Sequence, residues 1–556
     1  MHDYYDLGTY GCPVTTASAE AQLWFDRGLV WTYGYNHEEA VRCFRRALEH
    51  DPDCAMAHWG VAYAAGPNYN MPWIVMDGRS RAEALATAHD ATAAAMALAD
   101  RVTPPEAALI RALPARYPER EPADDLRPWD DAFANEMREV CKAFPEHLDI
   151  RTIFVEAMLN RTPWQMWDQV NACPARGADT IEAQAVLEDA FASDPAAMSH
   201  PGLLHLYIHL MEMSPTPERA LPQANALREL VPDAGHLVHM PTHIDVQCGQ
   251  YQDTVLWNQK AIEADLKFYA REGAMNLYTG YRQHNYHFVV YGALFLGRYE
   301  PAIRAVRGMA ATTPEEMLRI ESPPMADYFE SYLAMEPHVL IRFGKWRELI
   351  AMDLPADPVL WATLTATILY GKALAHAALG EVGAALAGEQ TFLEAAARVP
   401  AERYLHNNVV PDLMEIAKAM LRGEILYRQG AFDAAFDHLR RAVALDDGLP
   451  YDEPWGWMQP ARHALGALLF EQGRVAEAEQ VYREDLGLAG KLPRGSIHPD
   501  NVWSLKGLHD CLEARGDTVE LPHLRQRLDF ALSRADTEVA ASCFCAQVAM
   551  QSCCAG

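Results

Sequence analysis

Residues 21–54, AQLWFDRGLVWTYGYNHEEAVRCFRRALEHDPDC, constrain this chain more than any other stretch. Trp24, Gly28, Trp31, Ala40, Phe44, Ala47 and Pro52 recur at helical spacing on either side of a Gly-Tyr-Asn turn. That pattern predicts two antiparallel helices: Gly28, Ala40 and Ala47 let them approach, the large apolar residues fill the seam, and Pro52 stops the second helix. A single hairpin cannot bury both of its faces, so neighbouring hairpins must stack on it.

The turn signature returns along the chain. Gly249 with Tyr251, Gly297 with Tyr299 and Ala302, Gly344 with Trp346, Gly380 with Ala385, Gly430 with Phe432 and Ala435, and Gly473 with Ala478 each mark a turn, and a last hairpin is expected around Gly516. The offsets in 21–54 closely resemble the 34-residue tetratricopeptide repeat. The phrases HWG…GPNxN, HxxxH and EPWGW…REDL resemble those of a group of large microbial tetratricopeptide proteins of uncharacterised function. That likeness implies the fold and carries no activity.

The expected fold is therefore all-α, a right-handed α-solenoid of tetratricopeptide-like hairpins with irregular insertions. It divides into hairpins with loop insertions over 1–180, a histidine-rich centre over 181–320, further repeats over 321–535 and a cysteine-rich tail over 536–556. Between residues 66 and 180 the repeat weakens, and the Pro-, Arg- and Asp-rich stretches 112–130 and 161–178 read as loops.

Composition narrows the function. A formal charge of −29 opposes binding to nucleic acid or to an anionic membrane. No secretory signal or apolar span is visible, so the expected location is the cytoplasm. The 11 cysteines do not read as a disulfide framework. Most scattered thiols lie in apolar helical patterns, as core residues do.

Histidines crowd the middle of the chain. His200, His205, His209, His236, His239, His243, His284 and His287 make eight of the chain's 22. Repeat register sharpens this. Counted from Pro201, His205, His209 and Glu212 take positions 5, 9 and 12 of a first helix. Counted from Gly235, His236, His239 and His243 take positions 2, 5 and 9. Counted from Gln283, His284 and His287 take 2 and 5, and Tyr291 takes 9. Spacings of three, four and seven place side chains on one helix face. The resemblance implies that this face lines the concave groove.

Imidazoles converging from adjacent helices suit a transition metal. The expected ligands are His205, His209, His236, His239, His243, His284 and His287, holding one or two ions. Copper comes first, and iron and zinc stay open. Such a protein would be a copper- or iron-dependent oxidoreductase acting on a small molecule, with Glu212 and Tyr291 as weak catalytic candidates. Trp59, Tyr63, His338 and His463 fall at groove positions and could wall a substrate. Two other readings stand beside this one. The first is a non-catalytic scaffold that binds a peptide or protein partner, the histidines then being packing residues. The second is a copper-handling protein that uses the tail thiolates Cys543, Cys545, Cys553 and Cys554. Oligomeric state cannot be read from the sequence.

Overall fold

The computed structural model describes residues 4–490 and 492–546. Helices dominate. The named strands are two-residue antiparallel pairs, Trp167–Asp168 with Cys173–Pro174 and Tyr404–Leu405 with Asn408–Val409. The chain folds into two compact units: Met1–Ile244 with Lys260–Arg271, and Asp245–Gln259 with Glu272–Gly556. No helix among the described residues is long and apolar enough to cross a membrane.

The first unit begins with the hairpin expected from the sequence. Helix Ala19–Tyr33 is capped by the Ser18 side chain, and helix His37–His50 by Asn36. Helix Ala55–Ala65 packs next, and Phe44 sits where the three meet. A Cβ on Gly28 would lie 2.7 Å from the Phe44 ring, and one on Gly60 would lie 2.5 Å away. Glycine at both positions is what admits the ring.

Successive helices Gly78–Met96, Pro104–Arg116, Arg127–Ala143, Leu148–Leu159, Thr180–Ser193 and Pro201–Glu212 pack each on the next. Helix Pro201–Glu212 also returns to Ala19–Tyr33. Gly202 makes that contact close, since a Cβ there would meet Thr152 at 2.6 Å and Tyr33 at 2.8 Å.

The expected loop 112–130 is shorter than read. Residues 127–130 open helix Arg127–Ala143, and residues 112–116 complete helix Pro104–Arg116. A capping box of Thr103 and Glu106 starts this helix and a first-turn proline supports it. Arg116 is buried, donates to the Pro67 carbonyl at 2.6 Å and lies over the Tyr63 ring at 4.1 Å.

The second unit is the more regular. Helices Thr279–Leu296 and Tyr299–Ala311 form a hairpin, as do Glu336–Arg342 and Trp346–Ala351, and Ala362–Ala378 and Val382–Ala396. Val410–Arg428 and Phe432–Asp447, Ala461–Glu471 and Val475–Asp485, and Val502–Arg515 and Leu521–Leu532 follow. Their turns hold Gly297, Gly344, Gly380, Gly430, Gly473 and Gly516, with φ between +62° and +79°. These are the turn glycines named from the sequence, in the left-handed conformation that closes a helix. First helices of neighbouring hairpins touch, Ala362–Ala378 on Val410–Arg428 and Ala461–Glu471 on Val502–Arg515. This is the stacking of an all-α solenoid of tetratricopeptide-like hairpins.

The Phe44 seam makes a test. Alanine at Gly60 gains about 1 kcal/mol of helix propensity, while overpacking costs about 1–3 kcal/mol. Gly60→Ala should therefore lower the urea midpoint. Phe44→Leu in the same chain should recover part of the loss, and additive losses would contradict the seam.

Candidate metal centre

Three helical segments carry the cluster. Helix Pro201–Glu212 brings His205, His209 and Glu212, and helix Gly235–His239 brings His236 and His239. Pro241 has no N–H to donate, so the helix breaks there and restarts as Pro241–Gln247, which carries His243. All five imidazoles and the carboxylate are at most 1% exposed. The histidines expected to line an open groove are thus enclosed.

The nitrogens face one another. His205, His209 and His236 each place one ring nitrogen within 4.8 Å of the other two. Nε2 of His236 lies 3.2 Å from Nε2 of His205, and Nε2 of His239 lies 2.8 Å from Nε2 of His243. The His236 and His239 rings stack at 5.8 Å, joining the trio to the pair. Glu212 joins them a second time, with Oε1 3.1 Å from Nδ1 of His209 and Oε2 2.8 Å from Nδ1 of His243.

These contacts assign the tautomers. A carboxylate only accepts, so Nδ1 of His209 carries the proton. Nδ1 of His205 likewise donates to the Tyr33 carbonyl at 2.6 Å. The His205 ring, with its proton on Nδ1, therefore presents a lone pair at Nε2. Burial holds the His205 pKa down at about 3, and burial followed by the neighbouring imidazoles holds His236 well below its usual value. Both rings are neutral near pH 7, as metal ligands must be.

Aromatic rings enclose the cluster. Tyr35 stacks on His209 at 5.9 Å and on His236 at 5.6 Å. Tyr69 lies 4.6 Å and Trp164 5.8 Å from His209. Sequence reasoning missed all three. Tyr35 and Trp164 are non-glycine residues at φ +55° and +60°. Such backbone is costly and collects at functional sites. His200 is spent elsewhere. Its Nδ1 caps helix Pro201–Glu212, accepting from Leu203 N at 3.2 Å.

The remaining candidates are buried side chains with assigned contacts. In the first unit, Trp59 stacks on Tyr63 at 5.1 Å, and the Tyr63 hydroxyl donates to Glu156. His284 and His287 belong to the second unit. There His284 lies 5.3 Å from the His406 ring, and Nε2 of His287 lies 2.9 Å from Sδ of Met458. Tyr291 packs on Phe295 at 4.6 Å, and burial raises its phenol well above the usual range, so it stays protonated. His463 accepts from Arg342 at Nδ1 (2.6 Å) and donates from Nε2 to Asp485 (2.9 Å). His338 lies edge-on to Trp457, with ring centroids 5.0 Å apart.

The tail thiolates need correction. Cys543 and Cys545 are joined in a disulfide and offer no thiolate. Residues just before them are docked on the second unit rather than loose. Asp536 accepts from Tyr299 N at 2.6 Å, and Ser542 Oγ donates to the His463 carbonyl at 2.8 Å. Cys553 and Cys554 lie outside the described residues.

No protein-family model matches the sequence, and no curated protein matches it. Solved structures give weak likenesses. A monomeric IFIT1 mutant with Gppp-AAAA is 11% identical at a TM-score of 0.30, over 93% of this chain and 91% of that one. The APC/C hetero-tetramer Cut9–Hcn1 is 12% identical at 0.24, over 96% of each chain. Naa15/Naa10 bound to HypK-THB is 12% identical at 0.22, over 92% of this chain and 70% of that one. TM-scores this low define no shared architecture, and the fold rests on the chain's own hairpins.

Burial alone holds the His338 pKa at about 4. The unfolded imidazole, near 6.5, protonates first, so the stability His338 contributes is whole above pH 6.5 and is lost as pH falls towards 4. At about 1.4 kcal/mol per pH unit, the wild type should lose about 2 kcal/mol more than His338→Gln between pH 7 and pH 5. Urea unfolding at both values measures this, and equal losses would show that the folded ring protonates freely.

Proposed function

We propose that the five buried histidines and Glu212 of the first unit form a resident transition-metal centre, and that the protein is a metal-dependent oxidoreductase built on tetratricopeptide-like hairpins. The observation that carries the reading is the pairing of Nε2 with Nε2 at 3.2 Å and 2.8 Å. Two nitrogens bound to one ion at about 2.0–2.1 Å stand roughly 3.3 Å apart in a tetrahedron and roughly 2.9 Å apart at a right angle. Both separations in the cluster fall close to those values.

The supporting contacts are the kind that metal-ligating histidines use. Each such ring donates its second nitrogen to a carboxylate or carbonyl, which fixes its orientation and raises its basicity. Glu212 supplies that partner to His209, and the Tyr33 carbonyl supplies it to His205. A nitrogen-rich set with one carboxylate favours copper over magnesium or calcium, with iron and zinc as alternatives. The trio and the pair leave room for one ion or two. Copper or iron held this way supports electron transfer to and from a small molecule. Complete burial favours a resident ion over exchangeable cargo, and the Cys543–Cys545 disulfide removes one support from the copper-carrier reading.

Elemental analysis of the full chain tests the reading. The wild type, as purified or after reconstitution with copper, iron or zinc, should hold stoichiometric metal. His239→Ala with His243→Ala should hold at least one equivalent less. Glu212→Gln should keep the fold and bind metal about 10–100-fold more weakly in a chelator competition. A wild type that takes up none of the three metals would sink the proposal and leave the scaffold reading.

A further inference from the structure

We infer that Cys12, His147 and Asp149 form a second metal site in the first unit, one that takes zinc(II) and leaves a coordination position facing a cavity. The sulfur, one imidazole nitrogen and one carboxylate oxygen lie within 4.8 Å of one another. Zinc binds sulfur at about 2.3 Å and nitrogen or oxygen at about 2.0–2.2 Å, so its ligand atoms stand roughly 3–4 Å apart. Small side-chain rotations close the difference. Three protein ligands with a fourth position open is the arrangement of catalytic rather than structural zinc.

Asp149 and Cys12 are held from behind. Asp149 Oδ1 accepts from the hydroxyls of Tyr10 at 2.5 Å and Tyr33 at 2.6 Å, and lies 3.3 Å from Nε2 of His200. Those partners occupy Oδ1. Oδ2 lies 3.9 Å from Nδ1 of His147, and that nitrogen is buried without a hydrogen-bond partner. Cys12 is fixed through its backbone, with N donating to Asp26 at 3.0 Å and O accepting from Gln22 at 2.9 Å.

The three ligands line one wall of a cavity of about 50 Å3, whose other walls include Phe25, Met56 and Trp59. It admits a water and a small ligand beside the ion. Carboxylates gather beside the thiol: Asp149 and Glu106 line its cavity, and Asp26 accepts from Cys12 N at 3.0 Å. Such a field opposes a bare thiolate nucleophile, which needs positive surroundings. It attracts a divalent cation, and binding then releases the thiol proton to solvent.

Cobalt(II) is the probe, because a thiolate ligand gives it a charge-transfer absorption that histidine and carboxylate cannot. The full-length wild type should show that band, levelling off at the intensity of one thiolate-bound cobalt per chain. His236→Ala with His239→Ala should keep it, which separates this site from the histidine centre, and Cys12→Ser should lose it. No band in the wild type, or the same band in Cys12→Ser, overturns the inference. A measurement on the wild type alone guards against a variant that fails to fold. Zinc(II) should slow alkylation of Cys12, followed by mass spectrometry, at least several-fold, and an unchanged rate overturns the inference as well.

Discussion

The first unit depends on helices that meet at glycine. A helix pair normally stands about 8–10 Å apart because side chains separate the axes. Gly28 and Gly60 remove that separation on two sides of Phe44, and Gly202 removes it where helix Pro201–Glu212 returns to Tyr33 and Thr152. The last contact reaches from fold to chemistry. It brings the Tyr33 carbonyl to 2.6 Å from Nδ1 of His205 and the Tyr33 hydroxyl to 2.6 Å from Asp149. One residue thereby orients a histidine of the proposed centre through its backbone and a carboxylate of the second site through its side chain. A larger residue at 202 would disturb both.

Charge is the second constraint. Glu212 is fully buried, and an unpaired carboxylate there would cost several kcal/mol. The His209 N–H compensates it, and Nδ1 of His243 lies 2.8 Å from its other oxygen. Neutral rings keep their other lone pairs, and a metal ion would supply the positive charge that the enclosed carboxylate otherwise lacks. The same carboxylate that is a liability in an empty core is thus well placed beside a cation.

Much of the fold was legible because each repeat closes on a left-handed glycine, and the sequence displays those glycines at a regular offset from aromatic and alanine partners. The register of His205, His209 and Glu212 was legible for the same reason, since one helix face is fixed by spacing alone. Helix Pro104–Arg116 was hidden by its proline and arginine content, although Thr103 and Glu106 spell its capping box. Tyr35, Tyr69 and Trp164 were not legible, because no local pattern places residues so far apart in the chain against one histidine. Cys12 and Asp149 are separated in the same way. Enclosure was missed too: repeat register says which face a residue takes, and only packing says whether that face is open.

The second unit shows what a buried histidine looks like when protein groups satisfy it completely. His463 accepts from Arg342 at one nitrogen and donates to Asp485 at the other, and Asp485 also accepts from His498, Asn501 and Ser504. Donor meets acceptor at every contact, and nothing further is needed. The cluster in the first unit is built differently. Nδ1 of His205 and of His209 meets an oxygen acceptor, while Nε2 of His236 meets Nε2 of His205 and Nε2 of His239 meets Nε2 of His243. Without an ion, His236 must carry its proton on Nε2 to donate to His205, and one ring of the His239–His243 pair must do the same. With one, they need only the other neutral tautomer, and four lone pairs turn inward with no ring gaining charge. Proteins satisfy lone histidines with oxygen and guanidinium, as the second unit does. Opposed imidazole nitrogens, backed by oxygen on the far side, are the arrangement that a metal ion completes.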